Sequence, residues 1–218
     1  VPQFDAEELG VELRYAFDTH VHADHISGLR DLAAEGVEAM LPAAAADRGV
    51  TYADDVTLVE DGDAFSVGDA TVETVFTPGH TTGMTSYLLG DGLLATGDGL
   101  FIESVARPDL EEGDDGAPDA ARTLYESLQE RVLALPDDTL IGGAHFSDAA
   151  DQRVVGERQD ALTIEEDAFV ELVLADMPPR PANYEDIIAT NLGQNAVDDD
   201  EAFTLELGPN NCAASQES

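Results

Sequence analysis

The sequence predicts an α/β fold in which mixed sheets are sandwiched between helices. Three observations carry that expectation. Short apolar runs recur through the middle of the chain, bounded by Asp-Gly and Gly-Asp turn signals; stretches with apolar residues three and four apart flank them; and the first strand leads directly into a polar loop and a helix.

The first element is Val11 to Phe17, a short alternating strand that runs into a histidine-rich loop. Ile26, Leu29, Leu32 and Ala33 then have helical spacing. Thr57 to Val59, Ala64 to Val67, Ala70 to Phe76, Thr85 to Leu89 and Leu93 to Ala95 follow as strands. Residues 111–118 are acidic and contain glycine, so a loop is expected there, before an amphipathic helix marked by Ala121, Leu124, Leu128, Val132 and Leu135. Thr139 to Ile141 forms the next strand, and residues 147–159 show no periodicity. Thr163 and Glu166 have capping-box spacing ahead of Phe169, Leu172, Val173 and Ala175, and Met177-Pro178-Pro179 ends that helix. A short helix over Tyr184 to Asn191 precedes a loosely held acidic tail. The expected organisation is a core over 1–160, a helical extension of the same domain over 161–195, and a tail over 196–218.

Composition narrows the function. With 47 acidic residues against nine basic ones, all arginine, the net charge is −38. A field of that sign repels nucleic acids and anionic membrane surfaces. An acidic coat keeps a protein dispersed in molar salt, where the Debye length falls to about 3 Å, so a halophilic source is expected. No signal peptide or spanning segment is visible, and a cytoplasmic location is expected. The single cysteine, Cys212, excludes an internal disulfide and a cysteine-based zinc site, and a free thiol near the tail is expected.

All five histidines follow predicted strands, and three of them lie in Thr19-His20-Val21-His22-Ala23-Asp24-His25. Neighbours one and two apart share no helix face, whereas a loop can turn His20 and His22 toward one point and Asp24 and His25 toward another. Imidazole suits zinc and iron, and carboxylate adds charge. A lone histidine in a polar loop would more simply be a hydrogen-bonding residue; a seven-residue cluster of this kind points to metal.

His-x-His-x-Asp-His resembles the signature of the metallo-β-lactamase superfamily. Thr77-Pro78-Gly79-His80-Thr81, Thr96-Gly97-Asp98 and Gly143-Ala144-His145 resemble its later ligand loops, in the right order. The resemblance implies an αββα sandwich and a metal site of His20, His22, Asp24, His25, His80, Asp98 and His145. It also implies several strands ahead of the first ligand loop, whereas nineteen residues precede His20, so the first strands are expected to be missing.

Two loadings of the site follow from the resemblance. In a binuclear hydrolase of the glyoxalase II type, His20, His22 and His80 hold one Zn(II), Asp24, His25 and His145 a second, and Asp98 lies between them. In the other, a single Fe(II) is held by the facial triad His20, His80 and Asp98. The stretch Asp18 to Gly28 is similar to the loop of persulfide dioxygenases and their rhodanese-linked relatives, as are Thr96 to Phe101 and Ala106-Arg107-Pro108-Asp109-Leu110. Pro178 to Tyr184 and Asn191-Leu192-Gly193 resemble the subgroup carrying sulfurtransferase domains. Val21 and Pro108 depart from the cysteine and threonine frequent there. The resemblance thus implies oxidation of a low-molecular-weight persulfide by O₂ to sulfite and thiol. Asp24 and Arg107 are the catalytic candidates, Arg107 pairing with Asp109 or meeting a substrate carboxylate; a salt bridge that merely holds the loop is the plainer alternative. Further expectations are a rhodanese-like sulfurtransferase partner and a homodimer. Tyr87 and Phe101 are expected in the core. From another class, a non-catalytic rhodanese partner would be expected to have lost ligands, and none is lost.

Overall fold

The computed structural model describes residues 10–90, 92–145, 153–157, 159–175, 177–208 and 212–214. Two sheets form the centre. The smaller is wholly parallel, in the order β1 (Tyr15–Phe17), β2 (Glu38–Pro42), β3 (Thr57–Val59). The larger runs β4 (Ala64–Val67), β5 (Ala70–Phe76), β6 (Thr85–Leu89), β7 (Leu93–Gly97), β8 (Leu140–Gly143), β9 (Arg153–Val154). Its pairings are antiparallel except β7 with β8. Helices α1 (Leu29–Ala34) and α2 (Ala43–Ala46) belong to the smaller-sheet side, and α3 (Asp109–Ser127) and α4 (Glu166–Ala175) to the larger.

Burial explains this layering. Leu29, Ala39, Leu41, Ala45, Val50 and Tyr52 close one apolar cluster between the parallel sheet and its helices. Leu94, Leu124, Leu128, Ile141, Phe169 and Val173 close another between the large sheet and α3 and α4. Between the sheets, Met40, Val59, Val72 and Tyr87 pack with Tyr15, Phe17 and Phe65, and the Phe17 and Tyr87 rings are 5.0 Å apart. At about 25 cal/mol per Å² of apolar surface removed from water, these three seams are the main favourable contribution to the fold. The α/β sandwich expected from the sequence is thus present. No helix among the described residues is long and apolar enough to cross a membrane.

Several local expectations are corrected. β2 was not foreseen: Ala-Met-Leu-Pro runs into four alanines and lacks the alternation of a half-exposed strand, because four of its five residues are buried. The loop expected over 111–118 is helical and belongs to α3, broken only where Gly113 takes φ 68°. Thr163 does not cap α4; its hydroxyl donates to Asp160 O at 2.8 Å, and the helix begins at Glu166. A capping box does form in the expected tail, where Asp198 accepts from Glu201 N at 2.9 Å and Glu201 accepts from Asp198 N at 3.1 Å. It starts α6 (Asp199–Leu205). Val11 to Arg14 lie outside β1, and β9 occupies part of the stretch without periodicity. Phe146, Ser147 and the rest of that stretch to 152 lie outside the described residues.

Candidate metal centre

The seven predicted ligands leave the carboxyl ends of β1, β5, β7 and β8, which converge at one rim of the sandwich, the edge where open α/β sheets commonly place their ligands. Thr85 N donates to Thr19 O at 2.9 Å, and Tyr87 hydroxyl to Asp18 O at 2.7 Å, tying the first loop of one sheet to the other sheet. Glycines make room for the close approach. Gly79 has φ 137°, and a Cβ there would lie 2.3 Å from Leu124 Cα. Gly97, at φ 51°, would put one 2.7 Å from Thr19 Oγ1.

His20, His80 and Asp98 form one group, buried to 1%, 1% and 0% exposure. Their Nε2 atoms lie 3.7 and 3.6 Å from Asp98 Oδ2. His80 Nδ1–H donates to Arg107 O at 2.9 Å, and His20 Nδ1 lies 2.9 Å from Thr19 Oγ1, so both rings are anchored on the side away from the carboxylate. His145 Nε2 sits 3.2 Å from Asp98 Oδ1 and 3.3 Å from Asp24 Oδ2. His25 Nδ1 lies 3.2 Å from Asp24 Oδ1 and groups with His22 and Asp24. The His22 ring lies between those of His20 and His25, with centroids 4.1 and 3.9 Å away, so all seven predicted ligands meet at one centre.

Electrostatics suit a cation. Burial and the neighbouring His22 hold the His20 imidazole well below its usual pKa, and burial with the charge of His25 lowers His22 to about 3. Both are neutral, the state in which imidazole donates to metals. Burial would lower His145, but the adjacent Asp24 and Asp98 carboxylates raise it to about 10. Burial would raise both carboxyls, but His145, with His25 beside Asp24 and His20 and His80 beside Asp98, holds them below the usual range. His20 Nε2 and both Asp98 oxygens make no well-directed hydrogen bond although fully buried. Such atoms normally find partners, and a metal ion is the partner this donor set fits.

Arg107 is 1% exposed, and its guanidinium faces Asp109, with Nε to Oδ1 at 2.7 Å and Nη2 to Oδ2 at 3.1 Å, as well as Pro179 O at 3.0 Å. Arg180 shares the same carboxylate at 2.9 Å. Of the two roles expected for Arg107, the pairing with Asp109 is the one present, and its backbone carbonyl orients His80. Tyr87 and Phe101 are both core residues at 3% exposure.

Three residues near the centre were not expected there from the sequence. Asn191 ends α5 (Tyr184–Asn191) and donates from Nδ2 to His22 O at 3.0 Å and His25 O at 2.8 Å, while its Oδ1 accepts from Ser27 N at 2.9 Å. Glu206 accepts from Ile26 N at 2.7 Å. Cys212, expected as a free thiol in the tail, is 2% exposed and lies beside Asp24, Asp98 and His145. Asn191-Leu192-Gly193 carried the only sequence signal among them, a resemblance without a stated role.

The sequence profile of the Metallo-beta-lactamase superfamily matches residues 4–145. The mitochondrial persulfide dioxygenase ETHE1 of Homo sapiens is 34% identical over 198 residues, covering 85% of this chain and 71% of that protein. A hydroxyacylglutathione hydrolase of Synechococcus is 34% identical over 167 residues, 73% of this chain, and the chain spans only 58% of its length. The crystal structure of ETHE1 from Myxococcus xanthus superposes with a TM-score of 0.74 at 29% identity, covering 87% of this chain and 81% of that one. These relatives are enzymes acting on small molecules.

Proposed function

The chain belongs to the metallo-β-lactamase superfamily, and from that premise we propose that it is a mononuclear iron persulfide dioxygenase. The balanced reaction is RSSH + O₂ + H₂O → RSH + SO₃²⁻ + 2 H⁺. The observation that carries this reading is the grouping of His20, His80 and Asp98, a fully buried two-histidine, one-carboxylate set, supported by 34% identity to a persulfide dioxygenase over most of the chain.

His20, His80 and Asp98 would hold Fe(II), which when bound supplies a redox-active Lewis acid with open positions for a persulfide sulfur and O₂. The Arg107 carbonyl and Thr19 hydroxyl keep the two imidazoles in the tautomer and orientation that present Nε2. Asp109 holds Arg107 in place, so the guanidinium acts by positioning and not by touching substrate. Asp24, between His25 and His145, balances charge beside the triad. Ala23, Phe101 and Leu110 form an apolar wall that limits water, and a cavity of about 340 Å³ bordered by Thr82, Pro108 and Glu111 reaches the triad at His80 alone.

The test is oxygen uptake by anaerobically purified, Fe(II)-loaded protein in molar KCl on addition of a low-molecular-weight persulfide. Uptake matched by sulfite is expected, and His80→Ala should lose both iron and turnover. Full iron and full turnover in that variant would sink the assignment. The second reading, a dizinc thioesterase, draws on the hydrolase relatives and on the proximity of Asp24 and His145 to Asp98. Thioester cleavage by zinc-loaded protein, with no oxygen uptake from iron-loaded protein, would favour it.

A further inference from the structure

The first turn of α3 is set apart from the rest of its helix. At Gly113 the backbone takes φ 68° and ψ −173°, a conformation that glycine tolerates and other residues rarely adopt, so the side chains of residues 109–112 are not bound to the faces of the helix that follows. Two carboxylates of that turn reach the segments that hold His80. Asp109 grips the guanidinium of Arg107, whose carbonyl accepts from His80 Nδ1. Glu111 grips Thr82, two residues beyond His80, accepting at Oε2 from Thr82 N at 2.7 Å and at Oε1 from Thr82 Oγ1 at 2.6 Å.

Each carboxylate is also met by an arginine from elsewhere in the chain: Arg180 Nε lies 2.9 Å from Asp109 Oδ2, and Arg48 Nε 3.1 Å from Glu111 Oε1. The Glu111 side chain is only 11% exposed, and hydrogen bonds to an ionised acceptor are roughly twice as strong as neutral ones. The rest of the loop is fitted as closely. Ser127 Oγ, from the far end of α3, donates to Pro78 O at 2.7 Å, and a Cβ on Gly83 would lie 2.5 Å from Ala45 Cα. The loop is thus fastened at Pro78 and at Thr82, on either side of His80.

We propose that Glu111 is a positioning residue for the metal ligand His80. By fixing the Thr82 peptide and hydroxyl it sets the backbone from which the imidazole is aimed, while the Arg107 carbonyl sets the rotation of the ring. It touches neither metal nor substrate. The inference rests on the reading of His80 as a metal ligand and is indifferent to which reaction the bound ion supports.

Anaerobic titration of the metal-stripped full chain with Fe(II) against a competing chelator tests it, together with the near-infrared circular dichroism of the bound iron, which reads the ligand geometry. Glu111→Gln keeps the side-chain volume but leaves one acceptor oxygen; iron affinity should fall roughly 10-fold and the spectrum should shift. Thr82→Val loses only the hydroxyl bond and should show a smaller loss, whereas Thr82→Ser should match wild type in both readouts. Glu112→Gln, an exposed neighbour in the same turn, should leave both unchanged. A Glu111→Gln protein that is less stable to denaturant yet has wild-type affinity and spectrum would overturn the proposal, as would an equal fall in Glu112→Gln, which marks a loss of charge and not of a bond. His80→Ala checks the premise. Iron lost there while Glu111→Gln binds as wild type defeats the positioning role alone; iron retained there with wild-type affinity and spectrum defeats the ligand reading and this inference with it.

Discussion

The strand-end loops and the segment from Tyr184 to Ala214 meet at the same centre but contribute different things to it. The loops supply every predicted ligand, each within two residues of a turn glycine or another ligand. The later segment supplies Asn191, Glu206 and Cys212, separated from most of the ligand loops by long stretches of chain. Donor chemistry is local and forms motifs; the restraint of a flexible ligand loop comes from hydrogen bonds between remote residues, which have no fixed spacing.

The contrast can be broken at either end. The largest effect is expected at a ligand: His80→Ala should abolish iron binding measured by metal analysis, with the far-ultraviolet circular dichroism retained. Next comes the buried ion pair beneath the loops. Asp109→Asn leaves the Arg107 guanidinium buried with its charge uncompensated, and a loss of about 3–5 kcal/mol in chemical denaturation is expected. Asn191→Ala should cost about 1–3 kcal/mol, because the His22 and His25 carbonyls and Ser27 N lose their partner, and should weaken iron binding by roughly 10–100-fold. Unchanged iron affinity in a destabilised Asn191→Ala protein would reduce the later segment to a structural prop and erase the comparison. The smallest effect belongs to the surface: Arg131→Ala removes an exposed pair with Asp61 and should change stability by about 0–1 kcal/mol, less still in molar salt.

How far the sequence was legible follows the same division. A partly exposed strand such as β5 announces itself by alternation and turn residues, and the His80 loop stands at its end. β2 is buried on both faces and carried no alternation to find. Residues 109–118 have the glycine, proline and aspartate of a loop, yet Gly113 absorbs the break and the flanking residues continue as helix. The Thr163–Glu166 spacing forms no capping box, since the Thr163 hydroxyl is taken by the turn at Asp160–Leu162, whereas Asp198 with Glu201 does form one. The burial of Cys212 depends on a strap pairing with residues 105–107, a contact that no local pattern encodes.

The bonds from Asn191 to the ligand loop join residues 169 and 166 positions apart. Contacts of such separation form late, because loop closure must be met before they stabilise anything. During synthesis at about 5–20 residues per second, roughly ten to thirty seconds pass between the emergence of the histidine loop and that of its clamp. Throughout that interval the nascent chain exposes a cluster of imidazoles without the geometry that discriminates among ions. Correct loading is therefore a matter of timing as much as affinity, and the cell's free-metal concentrations during translation decide which ion the unfinished chain meets first.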